Sequence, residues 1–138
     1  MKYYAVIDTN VIVAALLTKN KDSATLQVFN AVLDGTIIPL YHQEILAEYY
    51  EVLHRPKFPL QEDTIKFIMK AITQYGVEVF PQPSGEIFVD MDDLIFYEVA
   101  LEKREDDAYL VTGNQQHYPI KDFIVTPAEM LNIIRENR

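Results

Sequence analysis

The sequence predicts an α/β protein, a three-layer sandwich in which helices cover both faces of a mainly parallel sheet of about five strands. Three observations carry that expectation. Short apolar runs of three to five residues alternate with helix-length amphipathic stretches along the chain, as in a sheet buried on both faces. Only four glycines occur, with no repeat, linker or low-complexity tract, so little chain is left for flexible loops. Oxygen-bearing side chains follow the ends of apolar runs, where α/β folds collect functional groups.

Residues 4–7 read as a buried strand, and Thr9 to Leu17 as the helix that follows. Ala24 to Leu33 is helical and stops at Asp34-Gly35, a usual terminator. Thr36 to Leu40 is a second strand. Gln43 to Leu53 is an amphipathic helix closed by Arg55-Pro56, and Gln61 to Tyr75 another, closed by Gly76. Val77 to Phe80 is a third strand, and Pro81 to Gly85 a loop. Leu94 to Lys103 is helical, Ala108 to Thr112 a fourth strand, Phe123 to Val125 a fifth. Pro127 to Arg135 is the last helix, with proline in its first turn.

The 138 residues are expected to form one domain, 1–138. No apolar run approaches the roughly 20 residues that span a bilayer, and the opening Met-Lys-Tyr-Tyr-Ala-Val-Ile-Asp meets an acid too early for a signal peptide. The chain has no cysteine, which excludes disulfides and thiolate metal sites. A cytoplasmic protein without membrane attachment is expected. The net charge is −9. Simple nucleic-acid binders are basic because they neutralise phosphates, so plain electrostatic binding is disfavoured. A metal-dependent enzyme is not, since bound cations supply positive charge locally.

The acids sort by position. Asp8 follows the first strand, where a helix N-cap is the ordinary role of aspartate and a functional carboxylate the alternative. On the third helix, at about 100° per residue, Ile45, Leu46, Tyr49, Val52 and Leu53 define a buried arc. Glu48 lies about 100° from its centre, Glu44 about 140° and Glu51 about 160°. Glu51 therefore faces solvent, while Glu48 sits at the arc's edge, from which a carboxylate reaches a cleft. Asp90, Asp92 and Asp93 open the fifth helix. One acid there complements the helix dipole, with Asp92 or Asp93 as cap. Three in four positions repel unless a cation lies among them. Thr112 and Asn114 follow the fourth strand around a Gly-Asn turn. His117 has no second histidine at ligand spacing and reads as a surface or packing residue. Oxygen donors of this kind suit Mg²⁺ or Mn²⁺. No phosphate-binding glycine loop, dinucleotide fingerprint or nucleophile elbow occurs.

The blocks "VIDTNVIVAALL" (6–17), "ILAEYYEVLHRPKF" (45–58), "DDLIFYEVALEK" (92–103), "YLVTGNQQHYP" (109–119) and "IVTPAEML" (124–131) together resemble the PIN-domain family, specifically its toxin-type (VapC-like) ribonuclease branch from toxin–antitoxin systems. The resemblance implies a PIN-like sandwich and a Mg²⁺- or Mn²⁺-dependent ribonuclease, often dimeric and held inactive by an antitoxin. It places the family's acids on Asp8, Glu48 and Asp93 as catalytic and metal-binding residues, with Thr9, Asn10, Asp92, Thr112 and Asn114 in support. The family's fourth acid falls on Asn114, whose neutral oxygen would hold a second metal less well. Asp107 is a poor substitute because it lies at the wrong end of strand four.

On this reading Asp8 and Asp93 ligate metal, Glu48 ligates it or orients the attacking water, and RNA is hydrolysed at phosphorus. Arg55, Lys57, Lys103 and Arg104 are cations outside the cleft, more ordinary as solvated surface than as phosphate contacts. Two other classes compete. A non-catalytic binding module on the same fold would explain Asn114. A phospho-receiver-like signalling domain would want paired acids after strand one and an acceptor Asp after a central strand, and the sequence has neither.

Overall fold

The computed structural model describes residues 2–137; Met1 and Arg138, the ends of the expected domain, lie outside the described residues. The predicted alternation is what forms. Strand β1 (Tyr3–Ile7) is followed by α1 (Thr9–Leu17) and α2 (Ala24–Leu33), β2 (Ile37–Tyr41) by α3 (Gln43–Leu53) and α4 (Glu62–Tyr75). Then come β3 (Val77–Glu78), α5 (Leu94–Glu102), β4 (Tyr109–Val111), β5 (Ile124–Val125) and α6 (Pro127–Glu136). Short 3-10 turns at Met91–Asp93, Arg104–Asp106 and Gln115–His117 carry no periodic pattern and were not expected.

The strand order is β3-β2-β1-β4-β5 and every pair is parallel, so the architecture is the expected α/β sandwich around a five-stranded sheet. β1 is central. Its residues Ala5, Val6 and Ile7 are almost wholly buried, which is why the run reads as continuously apolar rather than alternating. Tyr3–Ala5 align with Ile37–Pro39 of β2, and Ala5–Ile7 with Tyr109–Val111 of β4. α2 packs on α1, α6 and β2, and α5 on β1 and β4.

Local chemistry sets the ends. Ser23 caps α2 through the Leu26 N–H, and Thr126 with Glu129 forms a capping box on α6. Gly76 ends α4 where a Cβ would collide with the carbonyls of Ile72 and Pro39. β3 is shorter than expected. Val79 still donates to Tyr41 O, but Pro81 and Pro83 have no N–H with which to continue a ladder, and Phe80 is exposed. From Pro81 to Asp90 the chain runs as an irregular strap along α5. Gln82 and Ser84 donate their N–H groups to the carboxylates of Glu102 (3.0 Å) and Glu98 (2.6 Å).

Candidate active site

Asp8 occupies the N-cap position of α1, with extended backbone, yet its side chain makes no capping hydrogen bond. The capping role is thus not what holds it. Its Oδ2 accepts from Thr112 Oγ1 (2.7 Å) and Tyr118 Oη (3.1 Å), and the residue is only 5% exposed. The Asp8 N–H donates to Val111 O at 2.9 Å, so the ends of β1 and β4 are locked side by side. Burial pushes the Asp8 carboxyl above its ordinary range, against the hydroxyl hydrogen bonds from Thr112 and Tyr118.

Glu48 arrives from α3. The helix is pinned beside the end of β1 by its neighbour Tyr49, buried, whose hydroxyl donates to Ile7 O. Glu48 is half-buried, as its position at the edge of the apolar arc predicts, while Glu44 and Glu51 are exposed. Its Oε2 accepts from Thr9 Oγ1. Burial raises the Glu48 pKa most; the Thr9 bond opposes this, and the charges of Asp8, Asp93 and Asp92 raise it further.

The start of α5 matches the expected capping in position and differs in bonding. Asp93 stands at the N-cap position of α5 but its side chain makes no capping bond, whereas Asp90 caps the preceding 3-10 turn Met91–Asp93, its carboxylate accepting from the Asp92 N–H at 3.0 Å. The Asp93 carboxyl is pushed up to about 6 by burial first, then by the charges of Asp8 and Asp90, against an opposing pull from His117. His117 is exposed, as the surface reading expects, and its Nδ1 stands 3.5 Å from Asp93 Oδ2. Asp92 is exposed. With Glu44, Glu48, Glu51 and Arg55 it lines an open groove of about 490 Å³ beside the cleft. Arg55 is held there by Glu51 through Nε (3.2 Å) and Nη2 (2.9 Å). Arg104 lies over the Phe123 ring and donates to Ala108 O. Lys57 lies over Phe58.

The polar supports divide. Thr112, fully buried, donates to Asp8 and accepts from the Asn114 N–H at 3.0 Å. Asn10 Oδ1 accepts from the Gly113 N–H at 3.2 Å, tying α1 to the turn after β4. Asn114 is half-buried on that turn. Asp107 sits at the other end of β4, exposed in a left-handed conformation, away from the cleft as expected. Tyr118, 6% exposed, was missed. Nothing local in "NQQHYP" marks a hydroxyl whose partner lies 110 positions earlier.

Residues 4–116 match the family model described as PIN domain. The chain belongs to the PIN-domain family. No curated protein matches it significantly. The PIN fold is generally a nuclease fold and its members generally use divalent metals. The match spans Asp8, Glu48, Asp93, Thr112 and Asn114 and ends before His117 and Tyr118. Whether this PIN domain suits such an ion follows from its donors. They are hard carboxylate oxygens, and the charge of Asp8 raises the pKa of both Glu48 and Asp93, a repulsion that a cation relieves. Among the described residues no three acids or histidines stand ready to enclose one ion directly. No helix among the described residues is long and apolar enough to cross a membrane.

Proposed function

We propose that this PIN domain is a metal-dependent endoribonuclease using Mg²⁺ or Mn²⁺, the toxin of a toxin–antitoxin pair, acting in the cytoplasm as a homodimer restrained by an antitoxin. The observation that carries the nuclease reading is the convergence of Asp8, Glu48 and Asp93, from the end of β1, α3 and the start of α5, near enough for the charge of Asp8 to act on both others. The toxin assignment is supported by the resemblance of the five sequence blocks.

Asp8 and Asp93 would hold the cation, with Glu48 beside them. A divalent ion supplies Lewis acidity and offsets charge on the scissile phosphate. The protein's own part is orientation. Thr112 and Tyr118 fix Asp8, and Thr9 fixes Glu48 Oε2, leaving Glu48 Oε1 to accept a proton from the attacking water. The water's oxygen would join phosphorus as one P–O ester bond breaks, and the proton taken by Glu48 would balance the one that the leaving oxygen gains from solvent. Asp92, Asn10 and Asn114 shape the surrounding turns.

The test is cleavage of an RNA panel with Mn²⁺, Mg²⁺ or chelator, comparing the wild type with Asp93→Asn. Metal-dependent cleavage abolished by the substitution supports the reading. Metal binding without cleavage of any RNA favours the second reading, a non-catalytic PIN-fold binding module, for which Asn114 at the fourth-acid position speaks. Co-purification with the product of an adjacent short reading frame tests the antitoxin.

A further inference from the structure

Tyr118 belongs to neither the sequence expectation nor the residues matched by the family, yet it touches the most buried acid of the cleft. A carboxylate oxygen has two lone-pair sites. On Asp8 Oδ2 both are taken by hydroxyl donors, Thr112 at 2.7 Å and Tyr118 at 3.1 Å. Each donor has one proton to give, and Thr112 Oγ1 is further fixed by accepting from the Asn114 N–H. Both hydroxyl donors thus meet Oδ2, which leaves Asp8 Oδ1, with the Thr9 backbone N–H also at the carboxylate, as the oxygen to face a cation.

The ring of Tyr118 is itself held. It meets Phe88 of the strap edge-on, centroids 5.8 Å apart, and Phe88 lies 5.5 Å from Tyr97 of α5. Tyr97 stacks on Phe123 at 6.0 Å. The strap carrying Phe88 is fastened to α5 at Glu98 and Glu102. A phenol buried in such a cluster has little rotational freedom, so its hydroxyl sits at a defined point.

We propose that Tyr118 is a positioning residue for the metal, using its hydroxyl to saturate Asp8 Oδ2 and turn Oδ1 toward the ion. This rests on the metal-binding part of the proposed function. Partners that orient a metal ligand typically contribute 10–100-fold to affinity. Tyr118→Phe keeps the ring contacts and removes only the donor.

The experiment titrates Mn²⁺ into the full chain by calorimetry and by electron paramagnetic resonance, for wild type, Tyr118→Phe and Phe88→Leu, beside melting in chelator. Tyr118→Phe is expected to weaken Mn²⁺ binding about 10-fold while its chelator melting point stays close to wild type. Phe88→Leu, which keeps the hydroxyl but loosens the ring, is expected to weaken binding less, with a broadened Mn²⁺ spectrum. A Mn²⁺ affinity in Tyr118→Phe within twofold of wild type, with or without a lower melting point, overturns the proposal and leaves Tyr118 a packing residue. Should Tyr118→Phe not fold, wild-type affinity and spectrum in Phe88→Leu overturn it. A wild type that does not bind Mn²⁺ at millimolar concentration overturns the metal reading and this inference together. One that binds but does not cleave RNA overturns the nuclease reading alone.

Discussion

Asp93→Asn removes a carboxylate that the charges of Asp8, Asp90 and Asp92 repel, and leaves a side chain of the same shape. The Asp93 carboxyl rises from 3.8 to about 6 in the folded chain. At about 1.4 kcal/mol per pKa unit, ionised Asp93 costs the apo fold up to about 3 kcal/mol. The side chain is 15% exposed, so solvent screens it only partly, and loss of the His117 attraction subtracts a little. A net gain of about 1–3 kcal/mol follows for the asparagine variant at neutral pH. The folded pKa is raised, so the folded state holds its proton more tightly than the unfolded one. Stability is therefore greatest below about pH 4, falls between about 4 and 6 as the carboxyl ionises, and is level above. For 138 residues, at about 2.1 cal/mol/K each, the gain amounts to about 3–10 °C in Tm. Thermal melts followed by circular dichroism in chelator, at pH 7.5 and pH 4, measure it. The variant should melt higher at pH 7.5, and the difference should shrink toward zero at pH 4. With Mn²⁺ present the wild type should regain ground, because binding stabilises only the competent folded state. An equal or lower Tm for Asp93→Asn at pH 7.5, or the same gain at both pH values, would refute the reasoning.

Asn114→Asp restores a charged oxygen on the turn after β4; Mn²⁺ affinity and cleavage at low Mn²⁺ are expected to rise together, and unchanged affinity by calorimetry would show that this turn does not face the ion. Asp8→Asn keeps an acceptor for the Thr112 and Tyr118 hydroxyls while removing a buried charge, so melting in chelator should be unchanged or higher and Mn²⁺ binding at least 10-fold weaker; a heavy loss of Tm would mean that the carboxylate itself supports the fold. His54 bridges Tyr50 O (2.7 Å) and Glu62 Oε2 (2.6 Å), and these two bonds raise its pKa. Its small contribution is complete below about pH 6.5 and is lost as pH rises through the raised value, so His54→Gln should flatten the Tm-against-pH curve above pH 6.5.

The order of strands and helices was legible because each element announces itself locally, by an apolar run or by a period near 3.6. Glu48 was placed by the same arithmetic, since burial of Ile45, Tyr49 and Leu53 fixes which flank it occupies. The rest depends on distant parts of the chain. That Asp93 takes the N-cap position of α5 without a capping bond, while Asp90 caps the 3-10 turn at Met91–Asp93, depends on the backbone of that turn. The strap from Pro81 to Asp90 has no periodicity, because it follows α5 through side-chain acceptors rather than a ladder. Tyr118 and His117 lie on a turn whose direction is set by tertiary packing, and a tyrosine in a loop reads the same whether its hydroxyl meets water or a buried carboxylate.

The central strand of the sheet is the first to be made, and its partner β4 is among the last. Asp8 and Thr112 stand 104 positions apart, an interval that a ribosome covers in roughly 5–20 s. During that interval Asp8 has neither of its hydroxyl partners, and the β4-facing edge of β1 has no strand beside it. A nascent chain is thus unable to assemble the cleft, however far its first helices have formed. Fragments released before β4 lack Thr112 and Tyr118, so Asp8 in them is left without either hydroxyl donor even where all three acids are present. The order in which the strands emerge thus keeps Asp8 without its partners until the last third of the chain has been made.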